Sequence, residues 1–100
     1  MFYIFGFYKF KQLSGLKKIK KSFENKLKKY HLRGTIIFSR EGINGTISGK
    51  KMSIKKFKIN LMKICKIKNF DSENNSTSIF QPFHRGKIKI KKEVVPIGIN

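Results

Sequence analysis

The residues best suited to chemistry lie in two short stretches. The first holds Arg40, Glu41, Gly42, Asn44 and Gly45, between two β-prone runs. Asn-Gly tolerates positive φ at both positions, as tight hairpin turns require, and Gly42 supplies another unhindered position. One interpretation is a hairpin turn and nothing more. The alternative is that Arg40, Glu41 and Asn44 form a polar cluster at a strand end, where a rigid scaffold can hold residues that shape a substrate surface.

The second stretch is basic and lies near the end of the sequence. Lys87, Lys89 and Lys91 alternate with isoleucines, so a strand would place three ammonium groups on one face, about 6.6 Å apart. Arg85 precedes them and can bind a phosphate through two parallel hydrogen bonds. These four residues and Arg40 are the predicted RNA-binding residues. A structural alternative is that the lysines protect an exposed sheet edge from aggregation.

The composition favours a polyanionic partner. The 100 residues include 24 Lys and Arg against 5 Asp and Glu, a net charge of +19, and such a charge attracts nucleic acid. The abundance of Lys, Ile and Asn also fits an A+T-rich genome, so mutational drift explains part of the charge on this interpretation. We therefore expect an RNA partner rather than a membrane surface, but not on charge alone.

The sequence predicts neither a catalytic nor a metal site. The carboxylates are scattered, and the sequence has no Ser/His/Asp arrangement, phosphate-binding glycine loop or metal-ligand spacing. Cys65 is the only cysteine, which excludes an intramolecular disulfide and fits a reducing cytoplasm. Its position beside apolar residues at helical spacing predicts a small core residue. The apolar start, residues 1–10, is too short to span a bilayer.

Apolar spacing predicts the elements that position these residues. Apolar residues at helical spacing from Leu13 to Tyr30 and from Ile54 to Ile64 predict two helices, with Ser14 as the candidate N-cap of the first. Residues 71–75 are interpreted as a polar loop. The predicted strands are residues 2–10, 35–38, 46–48, 77–80 and 87–95.

This order predicts an α+β fold of the ferredoxin-like βαββαβ type, an antiparallel sheet with both helices on one face. The other face must be solvated or covered by a partner. RNA-recognition motifs share the order but stack bases on aromatics of two central strands, and residues 46–48 have none. Small acylphosphatases also share it, but they hold phosphate with an arginine after the first strand, and residues 9–15 have none.

Several motifs together resemble one known family. They are the Glu-Gly-Ile-Asn-Gly-Thr-Ile run at residues 41–47 and, in matching order, residues 7–10, 34–36, 82–85 and 87–95. With these motifs the chain resembles, over essentially its whole length, the acylphosphatase-like N-terminal domain of the bacterial rhodanese-type tRNA uridine hydroxylases.

The resemblance implies that the intact enzyme hydroxylates the wobble uridine of tRNA at C5, with molecular oxygen as co-substrate and no cofactor in this chain. The family's catalytic cysteine belongs to a rhodanese domain, and Cys65 matches no motif of that domain. We expect residues 1–96 to be a tRNA-handling domain that is not catalytic alone. Residues 97–100 would begin the linker to a rhodanese domain, in cis or as a split partner.

Two other functions stay open at this point. The chain could be a stand-alone acylphosphatase-like module that binds proteins or RNA in general. It could also be a self-standing acyl phosphate hydrolase, although the missing loop arginine argues against that.

Overall fold

Alternating or helical apolar spacing underlies most of the seven elements in the computed structural model, which describes residues 1–92. They are β1 (Phe2–Phe10), α1 (Leu16–Lys29), β2 (Arg33–Ser39), β3 (Gly42–Gly49), α2 (Lys51–Ile64), β4 (Ser72–Ser78) and β5 (Gly86–Ile90). The predicted βαββαβ arrangement with one added strand is confirmed. The predicted domain boundary at residues 96 and 97 lies outside the described residues.

The five strands form one sheet in the order β4-β1-β3-β2-β5. Three of the four strand pairs are antiparallel, as predicted, and β5 runs parallel to β2. Because β4 and β5 lie at opposite edges, the residues between them, 79–85, must cross about 19 Å of sheet width, four strand spacings. This crossing segment determines where several of the candidate residues lie.

Both helices cover the same face of the sheet. Phe23 of α1 and Phe57 of α2 are fully buried, and their rings contact each other with centroids 5.4 Å apart. Phe23 also packs on Phe38 of β2 at 5.6 Å. Each fully buried Phe stabilises the fold by about 1.5–3 kcal/mol relative to an exposed one. The amphipathic faces predicted for the two helices are confirmed.

Two local predictions were wrong, and a third is tested only over residues 87–92. β4 occupies residues 72–78, where a loop at 71–75 and a strand at 77–80 were expected. The reason is that its pairing with β1 needs only backbone groups, and its polar side chains carry no apolar pattern. α1 begins after Gly15, at φ 65°, and Ser14 is not its N-cap. β5 ends at Ile90, and the predicted extension over residues 93–95 lies outside the described part of the chain.

Candidate nucleic-acid interface

The lysines of β5 lie on the sheet face that the helices leave open. Lys87 pairs with Thr35 and Lys89 with Ile37 of β2. Both lysines are exposed, and Ile88 between them is buried at 5% exposure. Lys91 continues the line because its backbone N–H donates to the Phe38 carbonyl at 2.9 Å. The predicted alternation is therefore present, and the three ammonium groups follow one sheet edge.

Arg85 is positioned by the crossing segment. The Gly34 N–H donates to the Arg85 carbonyl at 2.9 Å, which fixes the start of β5 against the start of β2. Arg33 Nη1 donates to the Phe83 carbonyl at 3.4 Å. Gln81 Nε2 donates to the Ser48 carbonyl at 3.3 Å. These bonds hold the Pro-Phe-His-Arg motif, residues 82–85, across the end of the sheet.

Arg85 lines a basic cleft of about 730 Å³ between α1 and the crossing segment. The other basic side chains lining the cleft are Lys21, Lys28, His31, Arg33 and His84. Glu24 is the one carboxylate among the described residues that line it. No sequence pattern predicts this cluster, since only the fold brings Arg33 and the lysines of α1 near Arg85. A cleft of this charge can bind phosphate groups.

The first predicted cluster is not assembled as expected. The two-residue hairpin turn is Arg40-Glu41, so the prediction of a turn at Asn44-Gly45 was wrong. Asn44 is 4% exposed and lies within β3. Arg40 is separated from Arg85 by the length of β2, about 20 Å. It lies beside the Lys91 end of the basic edge and not in the cleft.

Two glycines in residues 40–45 allow neighbouring strands to approach closely. Gly42 has φ 153°, and a Cβ there would lie within 2.0 Å of the Lys9 carbonyl oxygen. A Cβ at Gly45 would lie 2.9 Å from Cζ of Phe7 and 3.0 Å from the Thr35 carbonyl oxygen. The Asn-Gly dipeptide therefore reflects close packing between strands and not turn chemistry.

The loop after β1 contacts the hairpin turn. The N–H of Lys11 donates to the Glu41 carbonyl at 2.8 Å, and the N–H of Leu13 donates to the Arg40 carbonyl at 3.0 Å. A phosphate-binding loop needs its backbone N–H groups turned toward the ligand. With two of them engaged and no arginine in the loop, this end of the sheet is poorly suited to hydrolysing acyl phosphates.

Cys65 is a core residue, as predicted. It is buried, and desolvation raises the pKa of its thiol to about 11. The thiol is therefore protonated at neutral pH and is a poor nucleophile. Within residues 1–92, no group of three or more His, Cys, Asp or Glu could hold a metal ion. In the same part of the chain, neither helix is long and apolar enough to cross a membrane.

The strand order and the two helices on one face define an acylphosphatase-like domain. The structure matches the crystal structure of acylphosphatase from Bacillus subtilis with a TM-score of 0.61 and 11% sequence identity, covering 88% of this chain and 98% of that one. The chain belongs to the family described as UPF0176 acylphosphatase like domain, whose model matches residues 2–94. The predicted family is thereby confirmed.

Curated relatives of this chain are named tRNA uridine(34) hydroxylase. The protein of Pelagibacter ubique (strain HTCC1062) is 55% identical over 100 residues, which are 100% of this chain and 33% of that protein. The protein of Wolbachia sp. subsp. Brugia malayi (strain TRS) is 33% identical over 99% of this chain and 36% of that protein. This chain spans about a third of the length of these relatives.

Proposed function

We propose that this chain is the tRNA-binding domain of a cytoplasmic tRNA uridine hydroxylase, working with a rhodanese domain that carries the chemistry. The observation that carries the proposal is the continuous basic edge formed by Lys87, Lys89 and Lys91, which begins at the cleft of Arg85 and Arg33. The names of the relatives supply the substrate. In the intact enzyme, molecular oxygen would be the co-substrate and C5 of the wobble uridine the site of hydroxylation.

The geometry suits a nucleic-acid backbone. The lysines of β5 are about 6.6 Å apart along the strand, exposed, and on the face that no helix covers. Arg85 and Arg33 converge where the line begins. Successive phosphates of one RNA strand could occupy this path, with a guanidinium gripping one phosphate bidentately and each ammonium contributing a point charge.

The test is the salt dependence of tRNA binding by the 100-residue chain, measured by fluorescence anisotropy. The variant replaces Lys87, Lys89 and Lys91 with Gln. Its affinity should fall, and its slope of log affinity against log salt should be shallower by about two units, since each contact to a single-stranded phosphate contributes about −0.7.

The matched control replaces Lys55, Lys56 and Lys63 with Gln. These lysines are exposed on α2, which packs over β1 and β3 and not over β5. Lysines of α1 are unsuitable because Lys21 and Lys28 line the cleft. Equal losses from both triples would mean that the chain attracts RNA through diffuse charge, and the proposal would fall.

A second candidate function is a protein-interaction module. The exposed apolar pair Ile79 and Phe80, at 85% and 65% exposure, favours it. This surface is tested independently of RNA binding, because changing both residues to Ser should weaken binding to a separately expressed rhodanese domain of a relative and leave tRNA binding unaltered.

A further inference from the structure

The open face of the sheet carries two adjoining grooves that are distinct from the basic cleft. One, of about 350 Å³, lies over Gly6 and is lined by Tyr8, Thr46 and Asn74. The other, of about 320 Å³, is lined by Thr46 and Phe83. Each groove thus has one aromatic side chain at the open face, and the two share Asn44, Gly45 and Thr46. No charged side chain of residues 1–92 lines either groove.

The first groove exists because a glycine interrupts β1. Ile4, Gly6 and Tyr8 alternate toward the open face, while Phe5 and Phe7 are buried in the core. A Cβ at Gly6 would lie 3.5 Å from Thr46 Oγ1 and 3.7 Å from Asn74 Cβ, which are ordinary contacts. Packing therefore does not require glycine here, and glycine weakens the interior of a strand. The absence of a side chain at Gly6 leaves open space between the larger side chains of Ile4 and Tyr8.

The lining of this groove offers one stacking surface and several neutral polar groups. The ring of Tyr8 is half-buried and packs nearly perpendicular to the ring of Phe10, with centroids 5.4 Å apart and planes at 83°. Asn74 and the hydroxyl groups of Ser72 and Ser76 come from β4. An amide both donates and accepts hydrogen bonds, as the edge of a nucleobase requires, and aromatic rings stack on the base face.

The Gly6 groove and the lysines of β5 lie at the same level along the strands, on a line that crosses the sheet. Tyr8 pairs with Asn44, Asn44 with Ile37, and Ile37 with Lys89. Three strand spacings therefore separate Tyr8 from Lys89, about 14 Å. An extended RNA strand that places bases in the grooves can place phosphates along β5.

We propose that the open face binds unpaired bases of single-stranded RNA, one in the Gly6 groove against Tyr8 and the next against Phe83. The inference rests on the proposed function for the nature of the ligand and adds recognition of bases to recognition of phosphates. The second aromatic comes from the crossing segment, which explains why β3 can lack one.

The experiment compares two ligands of equal length and charge, a uridine octamer and its abasic analogue. The native chain should bind the uridine octamer at least about tenfold more tightly, since stacking of even one of the two bases has that magnitude. Gly6→Val fills the groove without changing charge, and Tyr8→Ala removes the ring. Both should lower the ratio of the two affinities severalfold, to the part contributed by the base against Phe83, whereas Tyr8→Phe and the remote control Ile59→Ala should preserve it.

Several outcomes would overturn the inference. Equal binding of both octamers by the native chain would do so, as would a ratio unchanged in Tyr8→Ala. Circular dichroism checks that Gly6→Val folds. If this variant does not fold, the inference is decided by comparing the affinity ratios of Tyr8→Ala and Tyr8→Phe. The failure is distinguishable from failure of the proposed function. Replacing Lys87, Lys89 and Lys91 should weaken both octamers alike, so salt-dependent binding without base preference would sink only the present inference.

Discussion

The two edges of the sheet are built from opposite kinds of sequence. In β5, Ile88 is buried between exposed lysines, so a local alternation both predicts the strand and anchors it. In β4, none of the seven side chains is buried and none is apolar. β4 is a strand because its backbone pairs with β1 from Phe2 to Tyr8. An edge can thus be specified by its own side chains or by the neighbour it pairs with.

A few polar contacts supplement the backbone pairing of β4. The Asp71 N–H donates to the Tyr8 carbonyl at 2.9 Å, and the Asp71 carboxylate accepts from the Phe10 N–H at 2.6 Å and lies 3.5 Å from Lys9 Nζ. Glu73 pairs with Lys58 of α2 at 2.5 Å. The edges therefore differ in the kind of force that holds them, apolar burial for β5 and polar contacts for β4.

The largest effect is expected from the buried residue of β5. Ile88→Ala should lower the free energy of unfolding by about 2 kcal/mol or more, because it removes buried methyl groups and leaves a cavity. The matched change on β4 is Asn75→Ala, whose position faces the helix layer but is exposed. Asn75→Ala should change the free energy of unfolding by no more than about 0.5 kcal/mol. Urea unfolding measures both, and equal losses would remove the distinction between the edges.

The next effect belongs to the start of β4. Asp71→Ala removes the acceptor of the Phe10 N–H and the partner of Lys9. It should lower the free energy of unfolding by about 1 kcal/mol, a low value for hydrogen bonds to a charged group, because the site is exposed. Asp71→Asn keeps an acceptor oxygen and should recover part of the loss. Ser76→Ala is the control. If Asp71→Ala proves neutral in urea unfolding, β4 is held by backbone pairing alone.

The smallest effect is expected from Glu73. The Glu73→Gln change should cost at most about 0.5 kcal/mol, because both partners are partly exposed and water screens the pair. A double-mutant cycle with Lys58→Met isolates the coupling, which should disappear at high salt. A coupling that persists in 1 M salt would show that the pair is more shielded than its exposure indicates.

Most of the fold could be predicted because its core elements carry periodic apolar residues. The helices and β1 follow this rule. β4 could not be predicted, since its strand character lies in the pairing partner. The Asn44-Gly45 turn was mispredicted because Ile43 and Ile47 must both reach the core. A turn between them would remove Ile43 from β3, and this burial outweighs the local preference of Asn-Gly.

Only the part of the candidate site that lies within one short stretch of sequence could be predicted. The lysines of β5 were found because their alternation is visible in the sequence. Phe83 and Arg33 were not predicted as site residues, because Phe83 lies on the crossing segment and Arg33 joins the site only where that segment passes the start of β2. Its path is fixed by the placement of β4 and β5 at opposite edges, which no short-range pattern encodes.

The crossing segment also has a consequence for synthesis of the protein. A nascent chain can complete β1, β2, β3 and β4 as one continuous sheet, but β5 can dock on β2 only after residues 79–85 have left the ribosome and reached the opposite edge. Until then, the β2 edge that carries Ile36 and Phe38 is unpaired and prone to intermolecular pairing. The basic edge therefore forms last, so we expect newly made chains to acquire RNA affinity only when the sheet is complete.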